Sequence, residues 1–193
     1  MNHPFYASST INRHGDFRSD KDLIKKIISD KETKFVPVLK GKNLFKQSNQ
    51  DIEACFFNTE QLKIFFPNGI QNPIFLGVAN NINYVGIDVD ENNSNMDLWC
   101  NENSIIIEDL RKYGPTLNDI DASFLSLNNG MSFWHKTHQF CGSCGFKNNT
   151  REAGFVKICS NTECGKSHFP RTDPAIITLI SSKDKVLLGR SPR

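Results

Sequence analysis

The chain has 193 residues and a formal net charge of +2, long enough to bury a core or to divide into one medium domain and a smaller appendage. No run approaches the roughly eighteen apolar residues of a membrane span, and the polar stretch Met1 to Phe17 lacks the apolar segment and cleavage site of a secretory leader. The six cysteines therefore read as thiols of a reducing, intracellular compartment rather than as a disulfide framework. The first third predicts an α+β pattern. Ser19-Asp20-Lys21-Asp22 resembles a capping box, and Leu23, Ile24, Ile27 and Ile28 recur on one face of a short helix ending near Ser29. Phe35 to Leu39, a Gly41-Lys42 turn and Asn43 to Phe45 predict a hairpin, with Pro37 expected on an edge or at a bulge. Further strands are expected at Glu53–Phe57, Ile74–Ala79, Tyr84–Asp88 and Leu98–Cys100, separated by Asn- and Asp-rich turns. Cys55 and Cys100 lie in apolar runs and read as small buried hydrophobes. Glu91 to Asn95 lacks the alternating carboxylates of a calcium loop and reads as a surface turn.

From Asn118 the period changes. Ile120, Phe124, Leu127, Met131 and Trp134 step by four, three, four and three, which predicts one apolar helical face bridging the sheet to a cysteine-rich segment. Trp134 and His135 at its end read first as core. Cys141-Gly-Ser-Cys144 and Cys159-Ser-Asn-Thr-Glu-Cys164 then supply two close thiolate pairs, enough to close one tetrahedral shell around Zn²⁺. His138 and His168 are rival ligands, but two complete pairs leave a structural site no vacancy. Four thiolates and one Zn²⁺ together carry −2, which brings the chain to zero and weakens any nucleic-acid reading based on net charge alone. Beyond the ribbon, Ala175 to Ile180, a Ser181–Asp184 turn and Lys185 to Leu188 predict the opening hairpin of another sheet, its first strand apolar on both faces and so central.

Trp134-His135, Phe140-Cys141-Gly142-Ser143-Cys144-Gly145, Phe169-Pro170-Arg171-Thr172-Asp173-Pro174 and Leu187-Leu188-Gly189-Arg190 together resemble, in order and spacing, the NADH pyrophosphatase branch of the Nudix hydrolases. Asn12-Arg13 with Arg18, and Leu110-Arg111, resemble it more loosely. The resemblance implies an α+β N-terminal Nudix-like domain at 1–104, a bridging segment at 105–138, a zinc ribbon at 139–170 and the start of a catalytic Nudix domain at 171–193. It implies hydrolysis of NADH or NAD⁺ to nicotinamide mononucleotide and AMP, or removal of NAD caps from RNA, with Mg²⁺ or Mn²⁺ held by a glutamate-rich box. That box does not occur in these 193 residues, so no catalytic residue is assigned, and the chain alone is expected to be inactive. A protein continuing past Arg193 is the preferred explanation over a relative that has lost catalysis, because two apolar strands leave an unpaired edge. The resemblance also implies a homodimer, and it agrees with the structural zinc that the spacing of Cys141, Cys144, Cys159 and Cys164 predicts and with a cytoplasmic location, a peroxisomal one being left open. The family's tyrosine before Pro170 is replaced by Phe169, which keeps stacking on a substrate ring but loses the phenolic hydrogen bond; packing between ribbon and sheet is the other role open to it.

A reading of another class needs no chemistry. Phe140, Phe146, Phe155 and Phe169 interleave with Lys147, Arg151 and Lys157, a composition suited to a non-enzymatic ribbon that binds a protein or stacks single-stranded RNA.

Overall fold

Asp20 opens the first helix. In the computed structural model, which describes residues 6–48, 51–89, 94–173 and 176–190, its side chain accepts from the backbone N–H of Asp22 and Leu23 and caps α1 (Lys21–Ser29). Ser19 instead ends a preceding 3-10 turn, so the expected capping box is a single Asp cap. β1 (Lys34–Leu39) and β2 (Lys42–Ser48) form the expected hairpin. The turn falls on Lys40 and Gly41, one residue before the expected Gly41-Lys42, with Lys42 already in β2; both turn residues take positive φ, as a tight hairpin turn matching the strand twist requires.

β3 (Asp51–Ala54) pairs antiparallel with β2, shorter than the strand expected at Glu53–Phe57. The chain leaves β2 after Cys55, whose N–H still donates to Leu44 O at 2.9 Å, and Phe57 exchanges backbone hydrogen bonds with Phe35 of β1 instead. α2 (Thr59–Phe65) comes next, with a capping box between Asn58 and Gln61. β4 (Ile74–Ala79) and β5 (Ile82–Val89) form a second hairpin through Asn80 and Asn81, both at positive φ.

β5 also runs parallel to β1, from Lys34 opposite Tyr84 to Leu39 opposite Val89. The sheet is thus mixed, in the order β3-β2-β1-β5-β4. Pro37 is therefore buried in an interior strand, not at an edge. It fits because it lies between the pairing of Val38 and Leu39 with β2 and the pairing of Phe35 with Phe57, where no rung calls for its missing N–H.

The expected strand at Leu98–Cys100 is a helix, α3 (Ser94–Glu102). Met96 and Cys100, four residues apart, share its buried face, and the Trp99 ring meets Phe57 and Phe65 edge-on. The turn expected at Glu91 to Asn95 lies outside the described residues up to position 93; Ser94 and Asn95 belong to α3. β6 (Ile105–Glu108) pairs with β2, then α4 (Leu110–Tyr113) leads to α5 (Asp119–Thr137), capped by Asn118. The stretch 105–138, expected to bridge, thus adds a strand to the sheet and a helix to its core.

Strand side chains alternate between two apolar layers. Val36, Phe45, Leu76 and Tyr84 face α5, where Phe124, Leu125, Met131 and Trp134 are buried, and Tyr84 stacks on Phe124 at 3.9 Å between ring centroids. Phe35, Leu44, Phe75, Val85 and Ile87 face the opposite layer, built by Ile27 of α1, Leu62 and Phe65 of α2 and Met96 of α3. Cys55 and Cys100 are buried there as expected, and burial pushes the Cys55 thiol up to about 12. Among the described residues no helix is long and apolar enough to cross a membrane.

The cysteine-bearing segment contributes β7 (Asn148–Arg151), β8 (Val156–Cys159) and β9 (Ser167–His168). After it the last hairpin consists of β10 (Ser181–Ser182) and β11 (Lys185–Val186), and it turns at Lys183. Ala175 lies outside the described residues. Residues 176–180 are not the central strand expected of them: Ile180 O accepts from Leu187 N–H at 2.9 Å, but Ile176 and Ile177 are 87% and 104% exposed.

Candidate functional site

The segment after α5 folds around its cysteines. Cys141 N–H donates to Phe146 O at 2.7 Å and Gly145 N–H to Cys141 O at 2.9 Å, closing the first knuckle with Gly145 at positive φ. In the second, Cys159 N–H donates to Lys166 O, and Asn161 O accepts from the N–H groups of Cys164 and Gly165. β7, β8 and β9 form the antiparallel sheet between them. Lys166 Nζ donates to Ser143 Oγ at 2.9 Å and ties one knuckle to the other.

The four cysteine sulfurs lie within 4.8 Å of one another, and no other such group of metal-ligating side chains occurs among the described residues. Cys144 and Cys159 are 3.3 Å apart and Cys141 and Cys164 3.8 Å. A regular tetrahedron of sulfurs at the usual Zn–S length has edges of about 3.8 Å, so the cluster suits a structural zinc in a ribbon. Its electrostatics also favour a cation. The N–H groups of Ser143 and Cys144 bring Cys141 down to about 5, whereas burial, followed by the neighbouring sulfurs, pushes Cys159 up to about 12. The neighbouring sulfurs oppose the thiolate form of Cys159, and a divalent ion among them would offset that repulsion. His138 lies outside the cluster, with its Nδ1 3.0 Å from Thr137 Oγ1, and His168 contacts Cys141 without joining the four.

The ribbon is held against α5 and β4 by residues whose role the sequence pattern did not reveal. Lys157, 4% exposed, extends from β8 to donate to His135 O at 2.8 Å and His138 O at 3.0 Å, and its ammonium sits 5.4 Å from the Trp134 ring centroid. A cation is thereby placed on the negative end of α5. His135 Nε2 lies 2.8 Å from Gly154 O; as burial lowers the His135 pKa, the neutral ring donates there. Gly154, at φ +98, packs against Ile74 so closely that a Cβ would come within 2.9 Å of Ile74 Cγ1. Trp134 is core, 5% exposed, as expected.

These contacts leave two clefts. One, of about 800 Å³, lies between the α2–β4 loop, α5 and β7, with Asp88 bound by Ser132 and Lys136 in its wall. The other, of about 860 Å³, is lined by Arg13, Arg18, Phe133, Trp134, Phe155 and Phe169, among others. Phe169 is 62% exposed on this second cleft. The aromatic and basic platform expected for a binding ribbon is dispersed: Phe140, Phe146 and Phe169 are exposed, but Phe155 is half-buried beneath Arg18 and Lys157 is consumed in capping α5.

No protein-family model matches the chain. It is 47% identical over 62 residues to Nudix hydrolase 19, chloroplastic, of Arabidopsis thaliana, covering 31% of this chain and 14% of that protein. Over 98% of its length it is 23% identical to the NAD-capped RNA hydrolase of Schizosaccharomyces pombe, of which it covers 61%. Over the same share it is 23% identical to the NAD-capped RNA hydrolase NUDT12 of Homo sapiens, of which it covers 49%. The chain is thus related to the NAD-capped RNA hydrolase and NADH pyrophosphatase family of Nudix hydrolases, and it spans less than two thirds of the length of these relatives.

Proposed function

We propose that the protein to which this chain belongs hydrolyses the pyrophosphate bond of NADH or NAD⁺, giving nicotinamide mononucleotide and AMP, and that NAD-capped RNA is a further substrate. The observation that carries this reading is similarity along 98% of the chain to two proteins named for NAD-capped RNA hydrolysis. Cys141, Cys144, Cys159 and Cys164 would hold one Zn²⁺, whose closed four-sulfur shell leaves no position for a water and makes the ion structural. Phe169 would stack on a substrate ring, which its exposure on the second cleft allows. Mg²⁺ or Mn²⁺ would neutralise the pyrophosphate and activate the attacking water. Among the described residues no carboxylates are clustered to hold such an ion, so no catalytic step is assigned to residues of this chain. A homodimer and a cytoplasmic or peroxisomal location belong to the same proposal.

The test is to incubate the 193-residue chain, and separately a protein continued past Arg193 with an intact glutamate-rich box, with NADH and Mg²⁺ and to measure AMP. Turnover by the continued protein alone is expected, with a higher KM after Phe169→Ala. Silence from the continued protein overturns the assignment, and turnover by the 193-residue chain above a Cys159→Ser control places the active site elsewhere.

A further inference from the structure

We propose that Arg13 and Arg18 form a binding site for the phosphate of a nucleotide, in the cleft between the N-terminal segment, α5 and the ribbon. Arg13 Nη1 donates to Leu76 O at 3.0 Å, which fixes the guanidinium beside β4 and leaves donors on the rest of its fork uncommitted. The Arg18 guanidinium lies 3.5 Å over the Phe155 ring, and its buried Nε has no hydrogen-bond partner. Among the described residues no carboxylate oxygen comes within ion-pairing distance of either arginine. Glu152, exposed on the same cleft, is close enough to favour the charged form of Arg18 without pairing with it.

Two half-buried cations therefore face one cleft, with no ion pair to either among the described residues and only Glu152 acting on Arg18 from a distance. Burial and then the charge of Arg18 both lower the Arg13 pKa, and an anion between them would reverse both penalties. The planar fork of arginine matches two oxygens of a phosphate at once. An inorganic ion would leave most of the 860 Å³ empty, whereas a nucleotide suits that volume. Phe133 and Phe169, 69% and 62% exposed on the same cleft, offer aromatic faces to its base. For the base the inference rests on the proposed reading, which places a substrate ring on Phe169 in this cleft, whereas the phosphate site rests on the two arginines, and binding without turnover tests that site separately.

Calorimetric titration of the zinc-loaded 193-residue chain with AMP, with adenosine and with a single-stranded hexa-adenylate lacking a terminal phosphate reads the site directly. AMP is expected to bind at least tenfold more tightly than adenosine. Arg13→Gln and Arg18→Gln are each expected to weaken AMP binding at least tenfold. Glu152→Gln, an exposed substitution that spares the fold, is expected to tighten it about threefold by removing the competing charge. Tighter binding of the hexamer would assign the site to a backbone phosphate, and tighter binding of AMP to a terminal one; either supports it. Equal affinity for AMP and adenosine, or an AMP affinity indifferent to Glu152→Gln, overturns the proposal.

Discussion

Replacing Lys157 with methionine tests how the ribbon is fixed to the rest of the molecule. Methionine retains most of the aliphatic stem, so packing changes little and the ammonium is what is lost. His138 O keeps a second donor, Asn148 Nδ2 at 3.2 Å, but His135 O loses the lysine that bonds it. An unpaired buried carbonyl costs about 1–3 kcal/mol, and loss of a cation at a helix C-terminus adds about 0.3–1 kcal/mol. Part of this is returned, since burial already lowers the Lys157 pKa and that desolvation disappears with the charge. The net expectation is a loss of about 2 kcal/mol. Urea unfolding of the zinc-loaded protein, followed through Trp134 in a Trp99→Phe background, measures it. A change smaller than about 0.5 kcal/mol, within the range of an ordinary surface substitution, would refute the reasoning and make the lysine a passenger at this junction.

Gly154→Ala should destabilise by about 2–4 kcal/mol, because it combines a φ of +98 with a Cβ pressed against Ile74; chemical denaturation checks the value, and unchanged stability would mean that the ribbon does not dock as described. Asn128 fills the space over Gly86, where a Cβ would fall 2.0 Å from Asn128 Oδ1, and donates to Val36 O at 2.7 Å. Gly86→Ala and Asn128→Ala should each cost about 1–3 kcal/mol, while the double variant should recover at least about 1 kcal/mol of their sum, since the methyl added at Gly86 then enters the space that loss of the Asn128 amide opens. Strict additivity in that cycle would contradict the packing.

The sequence was most legible where a local rule sufficed. α5 was visible in the spacing from Ile120 to Trp134, the β1–β2 hairpin in the Gly41 turn to within one residue, the β4–β5 turn in its Asn-rich composition, and the four-cysteine cluster in the two Cys pairs. α2 carried a readable signal that was passed over: Asn58 with Gln61, then Leu62 and Phe65 on one face. β6 was equally announced by Ile105-Ile106-Ile107. At Leu98–Cys100 a three-residue apolar run was too short to distinguish strand from helix, and only the wider spacing from Met96 resolves it. Other features depend on contacts remote in sequence. The parallel pairing of β1 with β5, the gap that accommodates Pro37, and the reach of Lys157 to α5 appear only once the sheet and ribbon are assembled. The convergence of Arg13 and Arg18 on one cleft likewise requires the N-terminal segment to lie against α5 and the ribbon.

The most direct test of the central claim is the metal itself. X-ray absorption spectroscopy at the zinc edge, combined with elemental analysis of the purified chain, should show one Zn²⁺ per chain with four sulfur neighbours at about 2.3 Å and no nitrogen. Cys159→Ser should lower the zinc content to under about a tenth, as a shell of three thiolates no longer closes. A chain without zinc, a shell containing a histidine nitrogen, or full retention of the ion by the Cys159→Ser variant would contradict the account.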